Sequence, residues 1–261
     1  MGLARTSGFR TPPDEIRHLS GARSPCGVLT PAQEKQRHQL YGQAVHGMET
    51  RVADVRDPAA MFSALRWGMG ELDRTLAETP AKVRATVACR AGCGWCCSVP
   101  VDVQAHEVFF AAEHIQKHFS PDALNAVIAR TARHRAGMGK LNGEERSVLM
   151  QPCPLLDAGG SCTIYEGRPA ICRSHHASDA RVCAASAHPG DFERVHIPAL
   201  KARMFAVMLG LDEAIESAGF DSRAYDFGSA LHEALTNSLC LARWLRHQAA
   251  FPDACLADRA G

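Results

Sequence analysis

The chain lacks a charge surplus: its 261 residues carry 29 Lys and Arg against 28 Asp and Glu. That balance removes the electrostatic basis for nucleic acid or an anionic membrane as the main partner. Long apolar runs are also missing, because Arg, Glu or His interrupts each hydrophobic patch within a few residues, so no membrane-spanning helix is expected. The N-terminal stretch "MGLARTSGFRTPPDEIRHLSGARSPCG" has early arginines but no continuous apolar segment, which argues against a secretion signal. Gly2 followed by Ser7 is a poor myristoylation signal. There is no internal repeat, no low-complexity tract and no strand–helix alternation of the kind that builds a parallel sheet. Familiar catalytic signatures are scarce too. "HEVFF" and "HEALTN" lack the second histidine of a zinc-protease helix, "GMGK" is too short for a phosphate loop, and nucleophile elbows are missing. The expected compartment is the cytoplasm, where stable disulfides are uncommon and clustered cysteines point to metal or redox chemistry.

What the sequence does contain is mostly helical signal. "TPAQ" at 30–33 reads as a Thr N-cap, Pro at the first helical position and Gln closing a capping box. Tyr41, Ala44, Val45, Met48, Val52 and Val55 then recur at a helical period. "DPAA" at 57–60 opens a second helix with Phe62, Leu65, Met69, Leu72 and Leu76 on one face, closed by Pro80. The two should pack as a hairpin. Further helices are expected with Val108, Ala112, Ile115 and Phe119 on one stripe, from Ser120 and Pro121 onward, from Pro198 to about Gly219, and from about Ser229 to His247. In the last of these Leu231, Leu235, Leu239 and Ala242 are spaced for burial. "SVPVDV" alternates briefly, as an extended segment does. The fold class is therefore mostly α. The expected organisation is a tail (1–28), a helical hairpin (29–84), a cysteine-cluster domain (85–185), C-terminal helices completing the same globule (186–250) and a tail (251–261).

Eleven cysteines fall into two classes. Cys26 and Cys255 sit in the tails and read as incidental thiols, and Cys240 as a small core residue. The other eight bunch. "ACRAGCGWCCSVP" at 88–100 supplies Cys89, Cys93, Cys96 and Cys97. On a helix these four would share an arc of roughly 100°, whereas Gly92 and Gly94 favour a tight loop. "CPLLDAGGSCTIYEGRPAICRSHHASDARVC" supplies Cys153, Cys162, Cys172 and Cys183. Its "DAGG" turn between apolar runs predicts a small hairpin bringing Cys153 near Cys162. "RPAIC" places Pro169 at a helix start with Cys172 in the first turn, where an anion is at home. Arg90, Arg168 and Arg173 flank the cysteines and would offset thiolate charge. Four thiolates suit zinc or an iron–sulfur cluster, and the spacing does not separate the two. His175 and His176 are expected outside the site, Glu107 as a solvated helix residue, and His106, His114 and His118 as an exposed polar face.

"CRAGCGWC" resembles the cluster-binding loop of radical S-adenosylmethionine enzymes, but it follows helical signals, meets a fourth cysteine at once and is not continued by β/α units. Taken together, "CRAGCGWCC" at 89–97 and "CPLLDAGGSCTIYEGRPAICR" at 153–173 resemble the bacterial YkgJ-type cysteine-cluster family, whose members carry a zinc- or iron-chelating domain of CxxCxxCC type. The resemblance covers about residues 85 to 185. It implies metal chelation through Cys89, Cys93, Cys96, Cys97, Cys153, Cys162 and Cys172, with Cys183 added by its proximity to the motif. The same domain type occurs in the longer flagellin lysine N-methylases, whose additional segments are not identifiable here.

Two functions follow as expectations. One is a metal-binding protein holding zinc, iron or an iron–sulfur cluster, with a structural, metal-handling or redox-sensing role that leaves room for a protein partner. The other is an iron–sulfur enzyme related to the protein lysine N-methylases. No catalytic residue is assigned.

Overall fold

The computed structural model describes residues 29–90, 92–186 and 196–252. The expected tail 1–28, most of the tail 251–261, Cys26 and Cys255 lie outside the described residues. In chain order the helices are α1 (Pro31–Val52), α2 (Pro58–Ala77), α3 (Ala81–Arg84), α4 (Ala105–His118), α5 (Pro121–Met138), α6 (Gly143–Ser147), α7 (Ala170–Ser174), α8 (Ala180–Ala185), α9 (Pro198–Ser217), α10 (Phe227–Thr236) and α11 (Leu239–Trp244). Short 3-10 turns occupy Trp95–Ser98 and Tyr165–Gly167. The sheet among the described residues is a single antiparallel pair, β1 (Asp102–Val103) and β2 (Tyr225–Asp226), with Val103 opposite Tyr225. The protein is thus mostly α. No helix of the described residues is long and apolar enough to cross a membrane.

Local chemistry sets most helix starts. The Thr30 hydroxyl accepts from the Gln33 N–H at 3.3 Å while the Gln33 side chain accepts from the Thr30 N–H at 2.8 Å, closing the capping box. Asp57 caps α2 through the Ala60 N–H, and Ser120 caps α5 through the Ala123 N–H. Helix α1 buries Tyr41, Ala44, Met48 and Val52, and α2 buries Met61, Leu65, Met69 and Leu72. The hairpin expected of these two helices forms only in part: α1 touches α2, but its most extensive partner is α9.

One apolar cluster runs from Ala44 to Phe251 and takes in residues of α1, α2, α4, α9, α10 and α11. At its centre Trp244, fully buried, lies 5.2 Å from Phe109 and 4.9 Å from Phe220, ring centre to ring centre. Such tilted aromatic pairs each add roughly 0.5–1.5 kcal/mol beyond the area they bury. Helix α4 is the axis of this core. Rather than a single buried stripe, it buries every residue from Ala105 to Ala112 and also Ile115.

The expected long helix 229–247 is corrected. It breaks at Asn237, which ends α10, and the Asn237 Oδ1 then accepts the Leu239 N–H at 3.1 Å. Asn competes with the helix backbone in this way. The break turns Leu239 outward, 64% exposed, while Cys240 is buried as expected.

Candidate metal centre

The first cysteine segment is a loop, not a helix. Cys93 N–H bonds to the Arg90 carbonyl, Cys97 N–H to the Gly94 carbonyl, and residues 95–98 make one 3-10 turn. The second segment folds as the "DAGG" signal predicts. Asp157 Oδ1 accepts the N–H groups of Gly159 and Ser161 at 2.8 and 2.9 Å, Gly160 takes φ +77°, and Leu156 forms an antiparallel bridge with Cys162. A left-handed φ of this kind favours glycine.

These two segments dock directly. The Cys153 N–H donates to the Cys97 carbonyl at 2.7 Å, and the Gln151 N–H to the Ser98 carbonyl at 2.6 Å. Gly94 sits so close to the hairpin that a Cβ there would stand 2.7 Å from the Gly160 carbonyl oxygen. A third segment closes the site from the other side. The Ala88 N–H donates to the Ala177 carbonyl at 2.8 Å, and the Ala177 N–H donates to the Cys89 sulfur at 3.3 Å. Helix α8 packs on the 95–98 turn. It buries Cys183 beside Ala177, with Cys96 and Val99 against them.

All eight cysteines, 89, 93, 96, 97, 153, 162, 172 and 183, line one cavity of about 1040 Å³. Each is a free thiol. The side chains surround the cavity without closing on a point: among the described residues no group of three or more His, Cys, Asp or Glu side chains is placed to hold a metal ion.

The electrostatics explain what such a wall requires. Burial pushes the Cys153 thiol up to about 12, with Cys97 and Cys162 nearby adding to the effect. Cys172, which lines the cavity, is pushed well up by burial and by Cys153 and Cys97. Burial is also the main cause of the upward shifts at Cys89, Cys162 and Cys183. Cys97 runs the other way, down to about 7, because the Cys96 S–H hydrogen-bonds to it and Arg168 is near; Cys96 is correspondingly raised. Thiolates so placed are costly unless a cation joins them. Soft sulfur donors in this number fit zinc, iron or an iron–sulfur cluster, any of which would offset that cost.

Of the flanking arginines, Arg168 lowers the pKa of Cys97, Cys89 and Cys162 and stacks on Tyr165 at 3.7 Å. Arg90 lines the cavity. Arg173 does not serve as expected. It is 3% exposed, pairs with Asp73 at 2.6 Å and donates to the carbonyls of Glu166 and Arg168, so it braces α7 from behind.

Two further expectations, for Glu107 and for the His106 face, are corrected. Glu107 is not solvated: it is 4% exposed, and its carboxylate accepts the N–H groups of Gln104 at 2.9 Å and Ala170 at 2.8 Å. Burial pushes it up to about 7. His106 leaves the expected polar face, buried with Asp212 at 3.4 Å, while His114 is half-buried and His118 exposed. His175 and His176 line the cavity. Unforeseen residues also line it: His134 and Asp226, 3.0 Å apart, and His196. No motif marks these, since His134 and Asp226 are 92 positions apart.

Thiols from three chain segments thus face one cavity of a mostly helical protein. Residues 88–189 match the CxxCxxCC family model, described as "Putative zinc- or iron-chelating domain". No curated protein and no solved structure matches the chain, and the comparisons show no relation to the flagellin lysine N-methylases.

Proposed function

We propose that Cys89, Cys93, Cys96, Cys97, Cys153, Cys162, Cys172 and Cys183 hold zinc or iron, as ions or as an iron–sulfur cluster, in a cytoplasmic protein. The carrying observation is that these eight residues, drawn from segments more than fifty positions apart, line one cavity. The role best supported is structural. Residues 88–100 and 150–186 contain only short turns and helices, tied to each other by a few backbone bonds and one small apolar cluster around Ala177 and Cys183. A metal bound by thiolates contributes its binding energy to such a segment directly. On this reading 85–185 is the chelating domain, and its helix α4 packs with the helices of 29–84 and 186–250 into one core.

Removing metal with a chelator should then raise amide exchange in 88–100 and 150–186 while the buried amides of α4 and α9 stay protected. Equal loss of protection across the whole chain, or none anywhere, contradicts the structural role. A second reading, an iron–sulfur enzyme, is favoured by one observation: at about 1040 Å³ the cavity has the size of pockets that enclose an organic ligand beside a centre. A brown, anaerobically purified protein containing iron and acid-labile sulfide supports it. A colourless zinc protein removes it.

A further inference from the structure

A buried cation stands behind the cavity wall, linked to it by two histidines. Lys201, in the first turn of α9, is 4% exposed, and its Nζ lies 2.8 Å from His196 Nδ1. His196 Nε2 in turn lies 2.8 Å from His175 Nδ1, the two rings meeting edge to face with centres 4.5 Å apart. His196 is held in place by its antiparallel bridge to Ala177, the residue whose N–H donates to Cys89. His175 follows α7, three positions after Cys172. Both imidazoles line the cavity, and His175 Nε2 is buried.

The direction of this chain follows from its first member. An ammonium only donates, so His196 Nδ1 accepts, and the proton of a neutral His196 sits on Nε2. That N–H then donates to His175 Nδ1, which places the proton of a neutral His175 on its own Nε2. A nitrogen carrying a proton has no lone pair for a metal.

We propose that Lys201, His196 and His175 form a polarised hydrogen-bond chain that makes His175 a donor to the anionic thiolate centre and not one of its ligands. This rests on the metal reading above and deepens it. The charge of Lys201 is delivered to the cavity as an N–H group, where it stabilises the negative charge that several thiolates leave on a bound zinc or iron. His175 and His196 are thus positioning residues, and Lys201 fixes their tautomers. Groups that hydrogen-bond to a metal's ligands without binding the metal typically change its affinity 10–100-fold.

The test uses the full chain with ¹⁵N-labelled histidine, first metal-free and then loaded with Zn(II). His175 should show a protonated Nε2 and a lone-pair Nδ1 in both states. An Nδ1–H tautomer, a doubly protonated ring, or a metal-shifted Nε2 overturns the proposal. Co(II) provides the second readout. His175→Gln should bind as many cobalt ions as the unaltered chain, with the same sulfur-dominated spectrum, but about 10–100-fold more weakly. A lost ion or a changed ligand-field spectrum would make His175 a ligand. Lys201→Met should weaken binding likewise and Lys201→Arg restore it; His196→Gln, which cuts the same chain, replaces Lys201→Met should that variant not fold. Unchanged affinity in both Lys201→Met and His196→Gln also overturns the proposal. If the unaltered chain takes up no cobalt or zinc, the thiolate centre itself fails and the donor role falls with it, whereas a wrong tautomer with normal metal uptake overturns the chain of donors alone.

Discussion

The Glu107 carboxylate accepts the Ala170 N–H at 2.8 Å across 63 positions of sequence. Through this bond the most deeply buried helix of the core, α4, holds the start of α7, the short helix that carries Cys172. The cysteine-lined cavity is thereby anchored to the hydrophobic core by a buried acid, not by apolar contact alone.

Replacing Glu107 by Ala should strand the N–H groups of Gln104 and Ala170 in the core. Unsatisfied buried donors cost about 1–3 kcal/mol, so thermal unfolding should occur earlier. Metal affinity should fall with it, because Cys172 loses its support. Full stability in Glu107→Ala would show that the bond contributes nothing.

The docking of the two cysteine segments depends on Gly94. Gly94→Ala sets a methyl group against the Gly160 carbonyl oxygen, backbone against backbone, at a separation of 2.7 Å that cannot be relieved by a side-chain turn. Overpacking of this kind costs typically 1–3 kcal/mol. The expected outcome is a lower melting temperature together with weaker metal retention in a chelator titration. Gly42, whose added Cβ would meet nothing within 4 Å, is the matched control, since Gly42→Ala should leave metal retention unchanged.

How far these features were legible in the sequence depends on how local they are. The capping box at Thr30 and Gln33, the Ser120 cap and the "DAGG" hairpin involve residues within a few positions of each other, and each forms as read. The paired cysteine motifs, though distant, carry their signal in residue type and do converge on one cavity. What escaped is set by partners far away. Glu107 looks like a solvated acid until Ala170 is placed against it, and His106 looks exposed until Asp212 of α9 covers it. The break at Asn237 was hidden because its side chain cap competes with an otherwise continuous apolar period. Likewise, the pairing of α1 with α9 follows from the closure of the whole core and has no local mark.

His106 gives a pH prediction. Burial lowers its pKa from 6.5 to about 4. Unfolded, the ring takes a proton below 6.5, whereas in the fold it stays neutral until about pH 4, so its contribution to stability is full above pH 6.5 and is lost as pH falls toward 4. The loss amounts to about 3 kcal/mol. Asp212 and Glu107 are raised by burial and act in the opposite sense over the same range. The clean measurement is therefore a difference: His106→Gln should gain on the unaltered chain by about 3 kcal/mol between pH 6.5 and 4. A constant difference across that range would mean that His106 does not stay neutral in the fold.

The most direct test of the thiolate centre is the metal content per chain of anaerobically purified protein, compared with Cys162→Ser and Cys240→Ser. Cys162 lines the cavity, and Cys240 is buried in α11 among core residues. The expected result is stoichiometric zinc or iron in the unaltered chain and in Cys240→Ser, with metal reduced or lost in Cys162→Ser. Equal metal in all three, or none in the unaltered chain, would contradict a centre built on these sulfurs.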